Sequence, residues 1–292
     1  MRPSIVLPTM PVGANPEGID AAAETAERLG WHAAWTTDHL LMPGSAPADY
    51  ASIYDVLLTL AWVGARYPRI RLGTSVIVVA MRNPVALAKQ IASLDSLSGG
   101  RAVIGVGVGW NPVEFANVGE DDRFHVRGAF LDDTIRLWRH LFSGSSEPFE
   151  GRFTQFDDFV FGPLPAQGAA LPIVVGGRAE PALRRAGRLA DGYHASSRSP
   201  EQAAADMEIV RAAALEAGRP EPSFSARVSV RLDGPTTTPY GIGGSTDDMI
   251  REVEAFDAIG VEELAFSFGE TDAERVRNAM EWFDSEVLAA VR

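Results

Sequence analysis

The chain has no cysteine among its 292 residues, and lysine is almost as scarce. Without cysteine, disulfide bonds, thiol nucleophiles and cysteine-ligated metal sites are excluded, and the lack of disulfides fits a cytoplasmic protein. Of the 26 cationic residues, only Lys89 is a lysine. A GC-rich genome, which favours arginine codons over lysine codons, explains this bias without any functional role.

Positive charge is also in short supply, because 39 acidic residues outnumber the 26 basic ones and give a formal net charge of -13. A surface of this charge repels nucleic acid and anionic membranes, and no basic cluster offsets it. Long apolar runs are absent as well: residues 5–8 are too few for a signal-peptide core, and no segment approaches a membrane span. We therefore expect a cytoplasmic protein with a small-molecule ligand. An anionic ligand would need a local site such as a helix N-terminus or a single arginine.

Several catalytic motifs are missing too. The five histidines show no metal-ligand spacing such as His-x-x-x-His, so we predict no metal site. No serine stands in a G-x-S-x-G nucleophile motif. Gly105 and Gly107 begin like a dinucleotide fingerprint, but position 110 is tryptophan rather than the third glycine. Apart from His39, no proton-transfer group stands out, which is typical of a protein whose cofactor performs the difficult step.

What the sequence does contain is a regular alternation of short β-branched runs and alanine-rich helical segments, separated by cap signals such as Asn83-Pro84. Eight such units predict one (β/α)8 barrel domain over residues 1–292, with a doubly wound open sheet as the alternative. Residues 143–171, rich in phenylalanine, glycine and proline, interrupt the rhythm and are predicted to form an inserted hairpin. The predicted strands are residues 4–7, 33–36, 72–77, 102–107, 173–175, 192–195, 225–232 and 263–267.

Functional side chains of such a barrel follow the carboxyl ends of its strands. The most informative exit is Asp38-His39, after the second strand, where a carboxylate stands next to an imidazole. Imidazole is the one side chain that ordinarily both gives and takes a proton near pH 7, so His39 is a candidate acid–base catalyst. The alternative is that Asp38 caps the following loop and His39 is a polar residue on the rim.

The segment Gly176-Gly177-Arg178, after the fifth strand and before a helix, predicts a phosphate site. Glycine lets backbone N–H groups approach an anion at the positive end of the helix, and the Arg178 guanidinium adds two parallel donors. The alternative is a tight turn with a solvated arginine. Two further exits carry less information. His194 ends the sixth strand, where its orientation is left open, and Asp233-Gly234 ends the seventh.

Together these motifs resemble the luciferase-like monooxygenase superfamily of flavin- and deazaflavin-dependent oxidoreductases. The resemblance covers most of the chain and implies a barrel with insertions that is usually a homodimer. Asp-His after the second strand is similar to members that use coenzyme F420, an 8-hydroxy-5-deazaflavin, whereas FMN is the alternative cofactor. The matching segments are Trp35-Thr36-Thr37-Asp38-His39, Leu72-Gly73-Thr74-Ser75-Val76, Arg82-Asn83-Pro84, residues 101–111 with Glu114-Phe115, residues 172–177, and Ala190-Asp191-Gly192.

The resemblance also implies roles for individual residues. Asp38 and His39 would be the catalytic pair and flank the deazaflavin ring, with His39 relaying a proton to or from the substrate. A non-prolyl cis peptide between Ser75 and Val76 would form a bulge behind the ring, and Gly176-Gly177-Arg178 would hold the cofactor phosphate. Thr9 and Trp110 are expected in the substrate pocket. The residues expected to contact the cofactor are Asp38, Thr74, Ser75, Val76, Gly107, Val108, Gly109, Asn111, Gly176, Gly177 and Arg178.

The sequence departs from the sugar-phosphate dehydrogenase branch, because Trp110 replaces a glutamate and no lysine is available near the expected mouth. Trp110 and the phenylalanines of the insertion instead predict a more apolar pocket. We therefore expect hydride transfer between C5 of F420 and an unsaturated, carbonyl or alcohol carbon of a small organic substrate. The alternatives are an FMN-dependent, oxygen-using monooxygenase supplied by a partner reductase, and a cofactor-binding protein without catalysis. The phenylalanines are Phe149, Phe153, Phe156, Phe159 and Phe161.

Overall fold

The structure is a computed structural model, and it describes residues 1–50, 52–232, 234 and 240–292. The predicted strand exit at Asp233 lies outside the described residues. The strands are β1 (Arg2–Val6), β2 (Ala33–Thr36), β3 (Arg71–Thr74), β4 (Ile77–Val78), β5 (Ala102–Gly107), β6 (Phe149–Glu150), β7 (Gln155–Phe156), β8 (Ile173–Gly176), β9 (Gly192–Ser196), β10 (Ser223–Val230), β11 (Gly241–Ile242) and β12 (Glu263–Ser267). The α-helices are α1 (Pro16–Leu29), α2 (Val56–Arg66), α3 (Pro84–Ser98), α4 (Pro112–Asn117), α5 (Asp121–Phe124), α6 (Arg127–Phe142), α7 (Glu180–Leu189), α8 (Pro200–Glu216), α9 (Thr246–Ala258), α10 (Ala273–Phe283) and α11 (Ala289–Val291).

Eight of the strands close into a parallel barrel. The order around it is β1, β2, β3, β5, β8, β9, β10 and β12, and β12 pairs with β1 again. The (β/α)8 prediction is therefore confirmed, and the open-sheet alternative is wrong. The third predicted strand, residues 72–77, differs from expectation because it is interrupted: β3 ends at Thr74 and β4 begins at Ile77.

The helices bury their apolar faces against the outside of the barrel. In α1, Ile19, Ala22 and Ala26 are buried. The Asn15 side chain accepts the Gly18 N–H at the start of this helix, at 2.8 Å. A wide apolar face of this kind is typical of a helix that covers a sheet. None of the helices in the described part of the chain is long and apolar enough to cross a membrane.

Trp35 fills the interior of the barrel near its amino-terminal end. A Cβ atom on Gly73 would lie 2.4 Å from the Trp35 ring, so the neighbouring strand needs glycine there. Buried Glu263 accepts hydrogen bonds from Trp35 Nε1 at 2.7 Å and from Ser4 Oγ at 2.6 Å. Burial raises the pKa of Glu263, and these two donors oppose that rise. The packing closes this end of the barrel, which leaves the carboxyl ends of the strands for a ligand.

The insertion at residues 143–171 contains the predicted hairpin, since β6 and β7 pair antiparallel. Its phenylalanines, however, pack outside the barrel against α6, which corrects the expectation that they line the substrate pocket. Phe149, Phe156 and Phe159 surround the His140 ring with centroids 5.4 to 6.5 Å away. Phe153 and Phe161 likewise lie against the α6 residues Phe130 and Phe142, at 5.3 and 6.3 Å. These side chains therefore fill the groove beside α6 rather than the mouth.

Candidate active site at the barrel mouth

Asp38 follows β2 and holds the segment after β3. Its side chain is 2% exposed, and both of its oxygens accept hydrogen bonds. Oδ2 accepts the Val78 N–H at 2.9 Å, and Oδ1 accepts Arg82 Nη2 at 2.7 Å. Burial raises the pKa of Asp38, and the Arg82 guanidinium and the Val78 N–H oppose that rise. Because both oxygens are engaged within the protein, Asp38 positions β4, and its contact with a cofactor ring stays a prediction.

His39 is held by a glutamate from a distant part of the chain. His39 Nδ1 lies 2.9 Å from Glu114 Oε2, and Glu114 Oε1 accepts the Leu40 N–H at 2.7 Å. Glu114 itself is 1% exposed. A carboxylate partner places the proton of a neutral imidazole on Nδ1, which leaves a lone pair on Nε2. Nε2 has no hydrogen-bond partner among the described residues, so it is the nitrogen available to a substrate.

Glu114 is a site residue whose role the sequence pattern does not reveal. It stands three residues after Asn111, the N-cap of α4, where a glutamate often turns back to the cap in a capping box. Asn111 Oδ1 does accept the N–H groups of Val113 and Glu114, at 2.9 and 3.4 Å. The Glu114 side chain instead leaves its helix for His39. Asn111, expected at the cofactor, thus has a structural role as the cap that positions Glu114.

The peptide bond between Ser75 and Val76 is cis, as the resemblance implies. Thr74 Oγ1 donates to the carbonyl of Gly105 at 2.7 Å, so its side chain joins β3 to β5. Ser75 Oγ lies 2.9 Å from His194 Nε2, beneath the bulge. These two hydroxyls are therefore engaged within the barrel, and Thr74 and Ser75 border the mouth with their backbone.

His194 lies below the mouth rather than facing it. Its Nδ1 is 2.8 Å from Ser225 Oγ, so the imidazole bridges Ser75 and Ser225 across the barrel interior. The ring also stacks on Trp35 with centroids 4.5 Å apart. Burial lowers the pKa of His194 to about 3, and the Arg227 charge adds to the effect. At neutral pH the ring is therefore uncharged, with one nitrogen donating and the other accepting.

Val76 occupies the space that the strand glycines leave open. A Cβ atom on Gly107 would lie 2.6 Å from Val76 Cγ2, and one on Gly176 would lie 2.8 Å from Val76 Cγ1. Gly109 has a φ of 75°, and a Cβ atom there would lie 2.7 Å from Val78 Cγ1. These glycines thus accommodate the protein's own Val76 and Val78 side chains, and their expected contact with the cofactor stays a prediction. Their backbone still forms the carboxyl ends of β5 and β8.

The loop after β8 has the features of a phosphate site. A Cβ atom on Gly177 would lie 2.7 Å from Ala182 Cβ, so glycine is required where the loop meets α7. The N-cap of α7, Ala179, provides no side-chain cap, and neither do the N-caps of α5 and α6, whereas α1, α2, α3, α4, α8, α9 and α10 each have one. Pro181 has no N–H and the Ala182 N–H donates to the Ala179 carbonyl at 2.8 Å, so the Glu180 N–H is the first-turn donor left for an anion. Arg178 is exposed beside them, and its Nε donates to the Ser196 carbonyl at 3.0 Å.

Trp110, which the resemblance places in the substrate pocket, lies beside His39 at the mouth. The centroids of their rings are 6.2 Å apart, and Tyr50 packs edge-on against both rings. Trp110 is 57% exposed, so a large part of the indole is free to contact a ligand. Val108, two residues earlier, is partly buried against the core. Thr9 differs from expectation, because it is fully buried and its side chain contributes nothing to the exposed surface of the pocket.

Two cavities adjoin this site. The smaller, of about 360 Å³, is formed by the loop after β2 and includes His39, Tyr50 and Ile53. The larger, of about 980 Å³, lies over the carboxyl ends of β10 and β12. Arg227 and Phe268 belong to its lining. A mouth of this size can hold both a cofactor and a substrate.

The family model of the luciferase-like monooxygenases matches residues 4–233. This match covers most of the chain, and the protein belongs to the luciferase-like monooxygenase family. A similar curated protein is an F420-dependent glucose-6-phosphate dehydrogenase of Nocardia farcinica. It is 29% identical over 274 residues, which cover 86% of this chain and 79% of that protein.

Solved structures with the same fold include two enzymes of different chemistry. A monooxygenase from Streptomyces bottropensis has a TM-score of 0.83 at 20% identity, with all of both chains covered. An F420-dependent secondary alcohol dehydrogenase, in complex with an F420–acetone adduct, has a TM-score of 0.81 at 18% identity, again over all of both chains. At these identities the likeness shows the fold alone.

Proposed function

We propose that this protein is an F420-dependent oxidoreductase that transfers a hydride between the deazaflavin and a small organic substrate. The observation that carries the proposal is the His39–Glu114 pair, a buried carboxylate holding an imidazole whose second nitrogen points to no protein partner among the described residues. The similarity to F420-dependent dehydrogenases supports the choice of cofactor. His39 and the loop at Gly177 belong to one barrel mouth, so proton transfer and cofactor binding occur in one site.

The residues present fit this cofactor. A phosphate would be held by Arg178 and by the uncapped first turn of α7, the one anion site that the sequence pattern anticipates. The segment Ser75–Val78 is held by His194, which contacts Ser75 Oγ, and by Asp38, which accepts the Val78 N–H, and its backbone would border the deazaflavin. Bound there, the deazaflavin would supply a two-electron hydride acceptor or donor at C5.

His39 then has the role of general acid or base. When an alcohol is oxidised, Nε2 takes the hydroxyl proton as the carbonyl forms, and in the reverse direction it returns that proton. Glu114 keeps the ring in the required tautomer and stabilises the imidazolium that results, as a carboxylate does in other acid–base pairs. Trp110 and Tyr50 provide an apolar surface beside the imidazole, which orients the substrate and keeps water from it.

The sugar-phosphate substrate of the similar dehydrogenases is not part of the proposal. The only lysine, Lys89, lies on α3, where its ammonium group donates to the Gly162 carbonyl and lies over the Phe161 ring. It is therefore engaged with the insertion and does not serve the mouth. Glu114 does supply a carboxylate at His39, so the replacement of glutamate by Trp110 leaves the acid–base pair intact.

We also propose a cytoplasmic homodimer. Exposed apolar side chains on the neighbouring helices α2 and α3 support the dimer, among them Leu58 at 72% exposure and Leu97 at 88%. A contiguous apolar patch often marks a subunit interface, whereas single exposed apolar residues are normal. Analytical ultracentrifugation of the wild type and of Leu58→Glu tests it: the wild type should sediment as a dimer, and a monomeric wild type would contradict the assignment.

The reaction itself is tested by two assays on one preparation. Under anaerobic conditions the protein is incubated with F420 and a panel of alcohols, and loss of the visible absorbance of oxidised F420 is followed. In the second assay, reduced FMN is supplied and oxygen consumption is recorded. We expect F420 reduction without substrate-dependent oxygen use. Substrate-dependent oxygen consumption with reduced FMN, and no F420 reduction, would favour the monooxygenase alternative.

A further inference from the structure

Arg227 is a cation inside the barrel mouth that takes no part in the proposed proton transfer or phosphate binding. On β10, Phe224, Ala226 and Val228 are buried among the core residues. The intervening Ser225 points into the barrel, where it contacts His194. Side chains two residues apart on a strand share a face, so Arg227 points into the interior one step nearer the mouth. Because polar and apolar residues alternate along β10, the Arg227 side chain lies on the interior face of the barrel and not on its outer face.

The partners of Arg227 are both neutral. Nη1 donates to Thr37 Oγ1 at 2.7 Å and to the Ser75 carbonyl at 3.3 Å. Among the described residues no carboxylate lies within 4.0 Å of the guanidinium, and Nε and Nη2 have no acceptor. Burial lowers the pKa of Arg227, but a guanidinium stays charged at any physiological pH. Several donors and one full charge therefore remain for a ligand.

Two other arginines at the same end of the barrel differ from Arg227 because each pairs with a carboxylate. Arg82 pairs with Asp38 at 2.7 Å, and Arg198 pairs with Asp206 through Nε at 2.7 Å. A charge shielded from water is costly unless an opposite charge or several hydrogen bonds compensate it. Arg101 has no carboxylate partner either, but its Nε, Nη1 and Nη2 all donate to backbone carbonyls. At Arg227 the described residues supply neither a carboxylate nor an acceptor for Nε and Nη2.

Arg227 lines the cavity of about 980 Å³, which is large enough to admit a ligand. Its lining combines Arg227 with apolar side chains such as Phe268 and Trp282. The acidic groups of the lining already have partners: Glu270 lies 3.9 Å from Arg275, and Asp49 accepts the Val12 N–H at 3.2 Å. The carboxylates of this cavity are thus engaged, its arginines Arg227 and Arg231 have no carboxylate partner among the described residues, and its walls are partly apolar.

We propose that Arg227 binds an anionic group, a carboxylate or another oxyanion, on the organic substrate, an inference that rests on the proposed function. We assign this anionic group to the substrate rather than to the cofactor, because the loop at Gly177 and Arg178 already provides a site for a cofactor phosphate. Thr37, the partner of Arg227, stands two residues before His39, so an anion held here remains in the same mouth as the acid–base pair. The substrate class is therefore an organic acid with an apolar portion.

The first arm of the test needs no cofactor. Acetate and inorganic phosphate are titrated against protein carrying Arg178→Ala, which removes the other anion site, and binding is read from the rise in Tm. Arg227→Gln, which keeps a donor for Thr37 and Ser75, should weaken the apparent affinity at least tenfold. Arg275→Gln, at a lining arginine that already pairs with Glu270, is the matched control and should change the affinity less than threefold. Equal anion binding with and without Arg227 would overturn the proposal.

The second arm separates substrate from cofactor. F420 is titrated against the wild type and Arg227→Gln, and the two dissociation constants should agree within about threefold. A tenfold weaker F420 affinity in the variant would assign the anion to the cofactor and overturn the proposal. Arg227→Lys keeps the charge and should recover part of the anion binding, which shows that a loss in Arg227→Gln is not misfolding.

The third arm uses turnover. A hydroxy acid and its methyl ester are compared as substrates, and the wild type should prefer the acid at least tenfold in kcat/KM. Arg227→Gln should remove that preference, and a preference that survives would contradict the role. If the wild type binds no F420 at all, the proposed function fails, while the first arm still decides whether Arg227 is an anion site.

Discussion

The candidate site residues in the two halves of the barrel mouth differ in their partners. In the paired half, around β2, β3 and β5, Asp38 contacts Arg82, and Glu114 contacts His39. In the other half, around β8, β9 and β10, Arg198 pairs with Asp206, but Arg178 and Arg227 donate only to neutral oxygens among the described residues. Paired groups hold a geometry and move a proton, whereas cations with neutral partners remain able to bind an anion. The paired half should therefore govern turnover, and the other half should govern affinity.

Replacing the imidazole should have the largest effect. We expect His39→Ala to lower turnover by roughly 10²–10⁴-fold, because the proton relay is lost, while F420 affinity stays nearly unchanged. His39→Asn keeps a hydrogen-bonding amide that cannot shuttle a proton, so it should be nearly as slow. Steady-state kinetics and a fluorescence titration measure the two quantities. Exposed His125→Ala is the control. Near-normal turnover in both His39 variants would reduce His39 to a polar rim residue.

Glu114→Gln sharpens the assignment of the paired half. The amide has the same size but no charge, so turnover should fall about ten- to a hundredfold, less than on loss of His39 itself. If Glu114 had a purely structural role, the Glu114→Gln substitution would leave the His39 tautomer unchanged. Nitrogen NMR of the labelled imidazole distinguishes the cases, since the Nδ1-protonated form should dominate only with the carboxylate present. An unchanged tautomer with unchanged kcat would contradict the positioning role.

Arg178→Ala probes the opposite half. Charge-assisted contacts to phosphate contribute roughly 1.5–3 kcal/mol, so F420 should bind about tenfold or more weakly. Turnover at saturating cofactor should change little. Arg188→Ala, at the other end of α7, is the matched control. An unchanged dissociation constant for Arg178→Ala would show that the loop after β8 is only a turn.

The smallest effect concerns His194, which joins the two halves from below. Its pKa in the folded protein is lowered to about 3 from the ordinary 6.5, so the unfolded chain takes up a proton that the folded chain refuses. Stability should therefore fall as the pH drops below 6.5, by roughly 1 kcal/mol between pH 7 and 5.5. Urea unfolding measures this, and His194→Gln should lose that part of the pH dependence. Identical pH profiles for the two proteins would contradict the neutral bridge.

Part of the account follows from the sequence for clear physical reasons. The eight strands are readable because short β-branched runs alternate with helical segments at regular intervals. His39 stands out because the carboxyl ends of barrel strands share one face. Arg178 stands out because its glycines precede a helix. Each of these signals is local, within a few residues of the group it identifies.

The rest depends on contacts that no local pattern encodes. Glu114 reaches a residue 75 positions earlier in the chain, and nothing in its own helix predicts that direction. Val76 fills the space beside Gly107 and Gly176, which lie on other strands. The composition of the insertion predicts that its phenylalanines line the pocket, but in the structure they pack against α6. Arg227 did have a signal, the alternation of polar and apolar residues along β10.

The most direct test of the central claim is a pair of binding titrations, F420 and FMN, on the same purified protein. Fluorescence quenching gives both dissociation constants without any substrate. The account predicts that F420 binds tightly, that FMN binds at least tenfold more weakly, and that Arg178→Ala weakens F420 while His39→Ala does not. Tight FMN binding with no binding of F420 would contradict it.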